Sequence, residues 1–247
     1  TESFPVGIVY LPNRNLIAVS GSNSSICLHI ADDPVPSKRF QMCQTWQCAS
    51  VQMCLAWMST NEVLYSGGND GKIYAWDLKD GNQTRNNGAP ILISVMHGHT
   101  DIVMSLLALE GVDQLVSASL DTTLCMWDTY THEMTTHLKG HKKGVFSMSY
   151  HPSLRLLISS GFEHDAYVWS PFVKALVYKL KGHHASLIGV QFVEGSDEII
   201  TADTDGLFKL WDIRNFKCLQ TFNSDMTNMR SSKDSFALNA FFHTKLP

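Results

Sequence analysis

Residues 98–128 read GHTDIVMSLLALEGVDQLVSASLDTTLCMWD, a segment opened by Gly98-His99 and closed by Trp127-Asp128. Asp121 stands 22 residues after the histidine and six before the tryptophan. The same intervals recur along the chain. Trp76, Trp169 and Trp211 end the β-prone runs GKIYAWD, HDAYVWS and GLFKLWD, so the four tryptophans are separated by 51, 42 and 42 residues. Gly140-His141 and Gly182-His183 place their histidines 28 residues ahead of Trp169 and Trp211, as His99 lies 28 ahead of Trp127. Asp70, Glu163 and Asp205 each precede their tryptophan by six. Fixed intervals at a period near 42 mark a repeat architecture, in which each unit is one supersecondary element stacked on its neighbours.

In the unit that begins at 140, the period-2 runs VFSMSY, RLLISS and DAYVW are separated by HPSL and GFEH, which reads as short antiparallel strands joined by turns. IAVSGSNSSICLHI aligns with LVSASLDTTLCMWD and adds a fainter first unit, with Asn23 in the acid place and His29 in the Trp place. Toward the other end, FALNAFFHTKLP is similar to VFSMSYHPSLR, the first strand of a unit. The polar stretch DLKDGNQTRNNGAP accounts for the 51-residue interval as a surface-loop insertion, and ADDPVPSKRF reads as an exposed connection.

The GH…D…W spacing resembles the WD-repeat family, whose signature is four strands per propeller blade every ~40–45 residues. The resemblance is clearest over residues 45–222. It implies an all-β protein, a WD-repeat β-propeller of four-stranded antiparallel blades forming one region over residues 1–247. Repeats would fall at about 1–45, 46–92, 93–135, 136–178 and 179–222, with the start of a sixth at 223–247. Five units and one strand are fewer than a seven-bladed ring of about 300 residues needs. The expectation is therefore part of a propeller of seven or more blades, within a larger chain or complex.

The resemblance also implies a buried polar tetrad in each blade: the Gly-His histidine, the turn acid, a Ser or Thr, and the indole N–H. A neutral imidazole can donate to the carboxylate and accept from the hydroxyl, which in turn accepts from indole. Carried over position by position, the complete set is His99, Ser119, Asp121 and Trp127. His141, Glu163 and Trp169 have Gly161 in the hydroxyl place, while His183, Asp205 and Trp211 have Asp203 there. Asp70 and Trp76 have Cys48 and Gly68 in the two remaining places.

Composition narrows the function. Charged residues make up 17% of the 247, against ~25% in an average globular protein, which leaves a neutral or apolar surface suited to protein contact. A net charge of -4 has the wrong sign for phosphate backbones, so no nucleic-acid partner is expected. No apolar run approaches the ~20 residues of a membrane helix, so no membrane insertion is expected. Six scattered cysteines without a CxxC pair read as buried thiols of a reducing compartment: the cytoplasm, with nucleus and cilium as alternatives. A His–acid–Ser set is also what a hydrolase triad uses. Its recurrence beside a Trp, without a Gly-x-Ser-x-Gly elbow, makes it structural, and no catalytic residue is expected. His97-x-His99 and His183-His184 lack a third ligand nearby, so neither metal nor cofactor is expected. LKGHKK and KLKGHH read as solvated loops.

What remains is a non-catalytic scaffold for protein or peptide partners. GHTDIVMSL resembles G-protein β subunits, and in such propellers partners meet the face where blades converge on the channel. The resemblance points to three positions per blade, the third and fifth residues after the histidine and the residue before the turn acid. They are Val51, Met53 and Asn69; Ile102, Met104 and Leu120; Gly144, Phe146 and Phe162; and Ser186, Ile188 and Thr204. Most are apolar, as interface patches are, with Leu120 and Phe162 the first anchors to test. Against this, Met104, Phe146 and Ile188 follow strand alternation and could pack between blades. Two further readings rest on shorter matches. Trp211-Asp212-Ile213-Arg214 resembles the box of cullin-RING ubiquitin-ligase substrate receptors, where Arg214 would touch the adaptor. VYLPNRNLIAVSGSNSSICLHI resembles first blades of ciliary and axonemal structural WD-repeat proteins.

Overall fold

The computed structural model describes residues 3–79, 89–193 and 195–223. Its strands form five four-stranded antiparallel sheets, each a meander in chain order. The first holds β1 (Pro5–Leu11), β2 (Leu16–Gly21), β3 (Ser25–Ile30) and β4 (Met42–Gln47). The second holds β5 (Gln52–Met58), β6 (Val63–Gly68), β7 (Lys72–Asp77) and β8 (Ile91–His97). The third holds β9 (Val103–Leu109), β10 (Gln114–Ser119), β11 (Thr123–Asp128) and β12 (Met134–Lys139). The fourth holds β13 (Val145–His151), β14 (Leu156–Gly161), β15 (Ala166–Ser170) and β16 (Ala175–Leu180). The fifth holds β17 (Leu187–Phe192), β18 (Glu198–Asp203), β19 (Leu207–Asp212) and β20 (Cys218–Asn223). This is the all-β architecture that the resemblance implies. The FALNAFFHTKLP segment and residues 80–88 of the polar insertion lie outside the described residues. The chain divides into two compact units, Thr1–His137 and Leu138–Pro247.

Short polar side chains make the turns that join the inner strands. Asp121 Oδ1 accepts the backbone N–H of Thr123 (2.9 Å), and Asp203 Oδ1 accepts those of Asp205 (3.1 Å) and Leu207 (2.9 Å). These Asx-type bonds mimic a backbone turn and free the chain to reverse tightly. The left-handed residue that such a reversal needs is Gly71 (φ 76°) in the second sheet and Gly206 (φ 81°) in the fifth.

Every first strand carries a β-bulge. The ladder skips one residue between Pro5 and Gly7, Gln52 and Cys54, Val145 and Ser147, and Leu187 and Gly189; in the third sheet Val103 and Ser105 pair with consecutive residues. The residues left out are Val6, Met53, Met104, Phe146 and Ile188. A bulge turns its extra side chain out of the strict alternation, which matters below for four of the candidate positions.

The core forms where sheets stack. In the first unit, Ala18, Ile26 and Leu28 share one cluster with Leu55, Trp57, Leu64 and Trp76, and Tyr65, Ile73 and Ala75 share another with Val103, Leu106, Leu115 and Trp127. In the second unit, Ile158, Ala166 and Val168 pack with Val190, Phe192, Ile199 and Trp211. The second and third sheets bury two apolar faces, which is why inner strands such as VLYSGG and QLVSAS are buried along nearly their whole length.

At one sheet end, backbone meets backbone with no room between. A Cβ on Gly161 would collide with the carbonyl oxygen of Gly144 and lie 2.8 Å from Val145 Cα. Gly161→Ala is expected to cost about 1–3 kcal/mol of stability, the range for overpacking, read as a lower urea midpoint.

Candidate functional site

In the third sheet Trp127 lies opposite Leu115 in the β10–β11 ladder. Its indole N–H donates to Ser117 Oγ (2.8 Å), Ser117 bonds His99 Nε2 (2.7 Å), and His99 Nδ1 bonds Asp121 Oδ2 (2.8 Å). The chain of bonds closes when Nδ1 donates to the carboxylate and Nε2 accepts the Ser117 hydroxyl. The fourth sheet repeats it through Trp169, Ser159, His141 and Glu163, at 2.8, 2.7 and 2.6 Å. The fifth repeats it through Trp211, Thr201, His183 and Asp203, at 2.9, 2.7 and 2.7 Å. In the second sheet Trp76 donates to Ser66 Oγ (2.9 Å), and Asp70 accepts the phenol of Tyr74 (2.7 Å) in place of an imidazole.

These geometries correct the expected sets in all four repeats that carry the tryptophan. The hydroxyl is not Ser119 but Ser117, and Ser119 instead donates to the Asp101 carbonyl (2.9 Å). Distance explains it: Ser117 lies two residues, ~7 Å, from Leu115 along the strand, whereas Ser119 lies four residues, ~13 Å, away. By the same shift Gly161 and Gly68 leave no gap, because Ser159 and Ser66 fill the place two residues earlier. In the fifth sheet the acid is Asp203 at the end of β18, and Asp205 is exposed in the turn. Sequence reading passed over a usable signal, since Ser66, Ser117, Ser159 and Thr201 all stand ten residues before their tryptophan. The first sheet has Val19 at that place and no tetrad; Asn23 there holds Ser25 through a side-chain bond (2.7 Å).

The glycine of the Gly-His pair has its own reason. A Cβ on Gly98 would lie 2.7 Å from Trp127 Cη2, and one on Gly140 would lie 2.7 Å from the same atom of Trp169. The indole edge therefore requires a residue without a side chain. The hydroxyls of Ser117, Ser159 and Thr201 belong to fully buried residues. Each is engaged by both the indole and the imidazole, so none is presented to a substrate as a nucleophile would be. His97 and His184 are exposed, apart from these networks.

Burial opposes charge on Asp121, but hydrogen bonds from His99, Thr123 and Thr100 outweigh it and hold the carboxyl well below the usual carboxylate range. Burial pushes His141 and His183 below the ordinary imidazole range, against the partial pull of Glu163 and Asp203.

The candidate partner positions occupy one end of each sheet. Backbone bonds run from Asn69 N to Val51 O (2.9 Å), Leu120 N to Ile102 O (3.0 Å), Phe162 N to Gly144 O (3.0 Å) and Thr204 N to Ser186 O (2.9 Å). The first sheet has the same bond from Ser22 N to Phe4 O (2.9 Å), so Phe4, Val6 and Ser22 belong to the set that sequence reading missed for want of a Gly-His pair. The bulged Met53, Met104, Phe146 and Ile188 lie two residues beyond. Gly144 is buried; every other candidate is partly or well exposed. Phe162 is 46% exposed and meets Phe146 edge to face, with ring centroids 4.2 Å apart. Arg214 is exposed, but its guanidinium folds back onto Asp212, with Nε to Oδ1 at 3.1 Å and NH2 to Oδ2 at 3.2 Å.

Two outcomes follow from the networks. Ser117→Ala leaves the indole N–H and the imidazole acceptor unpaired and is expected to cost about 2–3 kcal/mol, against about 1 kcal/mol for Ser119→Ala; equal losses in urea unfolding would refute the assignment. A histidine held below its unfolded pKa supports folding fully above that pKa and loses the support as pH falls toward its folded value. With His141 and His183 both depressed, stability is expected to be flat above about pH 7 and to decline below about pH 6.5, as measured by unfolding midpoints across that range.

Comparison with known proteins accords with this geometry. The family model described as WD domain, G-beta repeat matches residues 41–77, 91–128, 132–170 and 174–212. The Cilia- and flagella-associated protein 337 B of Tetrahymena thermophila is 35% identical over 175 residues, 71% of this chain and 13% of its own length. Striatin of Mus musculus is 34% identical over 79 residues, 31% of this chain and 10% of its own. The U5 small nuclear ribonucleoprotein 40 kDa protein of Dictyostelium discoideum is 26% identical over 159 residues, 64% of this chain and 42% of its own. The chain thus spans only a minor part of the relatives it matches. The four family matches cover more than half of the sequence and fall on the sheets that carry the buried tryptophans, and the chain belongs to the WD-repeat family.

Proposed function

We propose that this chain is a non-catalytic scaffold that holds protein or peptide partners on the bulged ends of its sheets. The observation that carries the reading is the Phe146–Phe162 pair. A phenylalanine 46% exposed, braced edge-on by a second ring, is a preformed apolar anchor, and its backbone is pinned by Gly144. Large aromatic side chains at such places supply most of the energy of protein interfaces. Ser186 adds rigidity by donating to the Phe162 carbonyl (3.2 Å). In the other unit Met53, Met104 and Leu120 occupy the same places on their sheets and offer adaptable apolar surface. The low share of charged residues and the net charge of -4 favour a protein partner over nucleic acid.

Similarity to a protein named for cilia and flagella favours a ciliary placement, in line with the resemblance of the first repeat. Six cysteines without a disulfide among the described residues suit a reducing compartment such as the cytoplasm, nucleus or ciliary interior. An adaptor contact through Arg214 has less support, because that guanidinium is already chelated by Asp212 of its own repeat.

The test is a double alanine variant at Leu120 and Phe162. Partner recovery in co-precipitation is expected to fall at least about tenfold, the effect of losing an anchor worth over 1.4 kcal/mol. The unfolding midpoint should hardly move, since neither residue is buried. Undiminished recovery of every partner would overturn the reading.

A further inference from the structure

β16 is the outer strand of the fourth sheet, and its far edge pairs with no other strand among the described residues. Residues 172–181 read FVKALVYKLK, with three lysines and no acid. Leu176, Val177 and Tyr178 on β16 are 38%, 45% and 45% exposed, and Phe172 and Val173 in the turn before it are 38% and 74% exposed. A β-prone apolar edge without proline is open to pairing with another chain.

Beside this edge, within the second unit, a groove of about 480 Å3 is lined by Leu176, Tyr178, Lys179, Lys181, the buried Trp211, and Phe216 from the β19–β20 turn. That volume is within the ~300–1,000 Å3 of ligand clefts. Tyr178 and Phe216 stack, with ring centroids 4.8 Å apart and planes inclined by 13°. Both rings depart from the pattern of the repeat. The place of Tyr178, opposite the residue before the tryptophan or His29, is held by Gln44, Ser94 and Gln220 in the first, second and fifth sheets, and by Thr136 at the same spacing in the third. Phe216, five residues after its tryptophan, has a left-handed backbone (φ 55°), and the third and fourth repeats carry His132 and Lys174 there, each at φ 58°. Bulky residues rarely take this conformation, and rare conformations gather where proteins clamp ligands. The charge lining the groove is of one sign. Lys179 Nζ donates to Tyr167 Oη (3.0 Å) and sits 4.2 Å from the centroid of that ring, which leaves its other protons for a further acceptor. Among the described residues, neither Lys179 nor Lys181 forms an ion pair.

We propose that the groove between β16 and the β19–β20 turn is a second binding site, distinct from the bulged sheet ends, for an extended acidic peptide of a partner protein. The peptide lies along β16 as an added strand, with an apolar side chain on the Tyr178–Phe216 pair and a carboxylate at Lys179 and Lys181. Strand addition supplies affinity through the main chain, and the side chains that alternate onto the groove supply selectivity. Charge complementarity decides the occupant. No acidic side chain lines the groove, so its two ammonium groups call for carboxylates from outside. A second copy of β16 laid on the same edge would bring lysines together and offer no acid to any of them, because residues 172–181 contain none.

The probe is a fluorescein-labelled octapeptide that alternates glutamate with phenylalanine, titrated by anisotropy into the native full-length polypeptide. Saturable binding that weakens with added salt is expected, and none for the same peptide with lysine in place of glutamate. Tyr178→Thr installs the side chain of the third repeat, and Phe216→Asn one that tolerates a left-handed backbone, so both variants should fold. Each is expected to weaken binding at least about tenfold. Lys179→Gln combined with Lys181→Gln, in which glutamine can still donate to Tyr167, is expected to weaken binding and to flatten its salt dependence. The double alanine variant at Leu120 and Phe162 should bind the probe unchanged, so failure of the rim reading and failure of this one are told apart. No saturable binding, equal binding of the lysine peptide, or equal affinity in all variants overturns the proposal. So does self-association that Tyr178→Thr abolishes, which gives the groove to a second copy.

Discussion

Trp76, Trp127, Trp169 and Trp211 each bury an indole N–H on a sheet face, and a buried donor without an acceptor costs about 1–3 kcal/mol. Much of each repeat can be derived from satisfying that donor. The acceptor must be a small hydroxyl two residues along the neighbouring strand, hence Ser66, Ser117, Ser159 and Thr201. In three repeats the hydroxyl also bonds an imidazole Nε2, and the imidazole's Nδ1 bonds a carboxylate near the inner turn. The carboxylate then accepts backbone N–H groups and fixes the turn. The Gly before the histidine is set by the far edge of the same indole. Trp46 and Trp57 bury indoles that meet no acceptor among the described residues, so the network belongs to this place in the repeat and not to tryptophan as such.

Much of this was legible because the constraint fixes spacing. Histidine, acid and tryptophan are rare enough that their intervals stand out, and the four-stranded units follow from the family resemblance those intervals carry. The hydroxyl was not legible by the same means. Serine is common, and both Ser117 and Ser119 lie on the correct side of β10, so strand alternation cannot choose between them; only the reach of the indole does. Asp203 escaped for a related reason. A carboxylate two residues earlier, at the end of β18, reaches the same His183 nitrogen as one in the turn would, and the sequence carries an acid at both places.

The bulges were invisible in sequence because no residue type marks them. Alternation alone sends Met104, Phe146 and Ile188 into the space between sheets, but the bulge breaks alternation at those residues and leaves them partly exposed. The candidate rim is therefore a product of irregular pairing.

Moving the carboxylate from the turn to the strand has a consequence for what the fifth repeat can become. In the third repeat Asp121 holds both the imidazole and the turn, so the loop beside Leu120 cannot change sequence without disturbing the core. In the fifth, Asp203 performs both tasks from inside the sheet, and Thr204 and Asp205 are released from either. That tip can therefore carry other side chains at Thr204 and Asp205 while the network beneath it, from Trp211 through Thr201 and His183 to Asp203, stays intact.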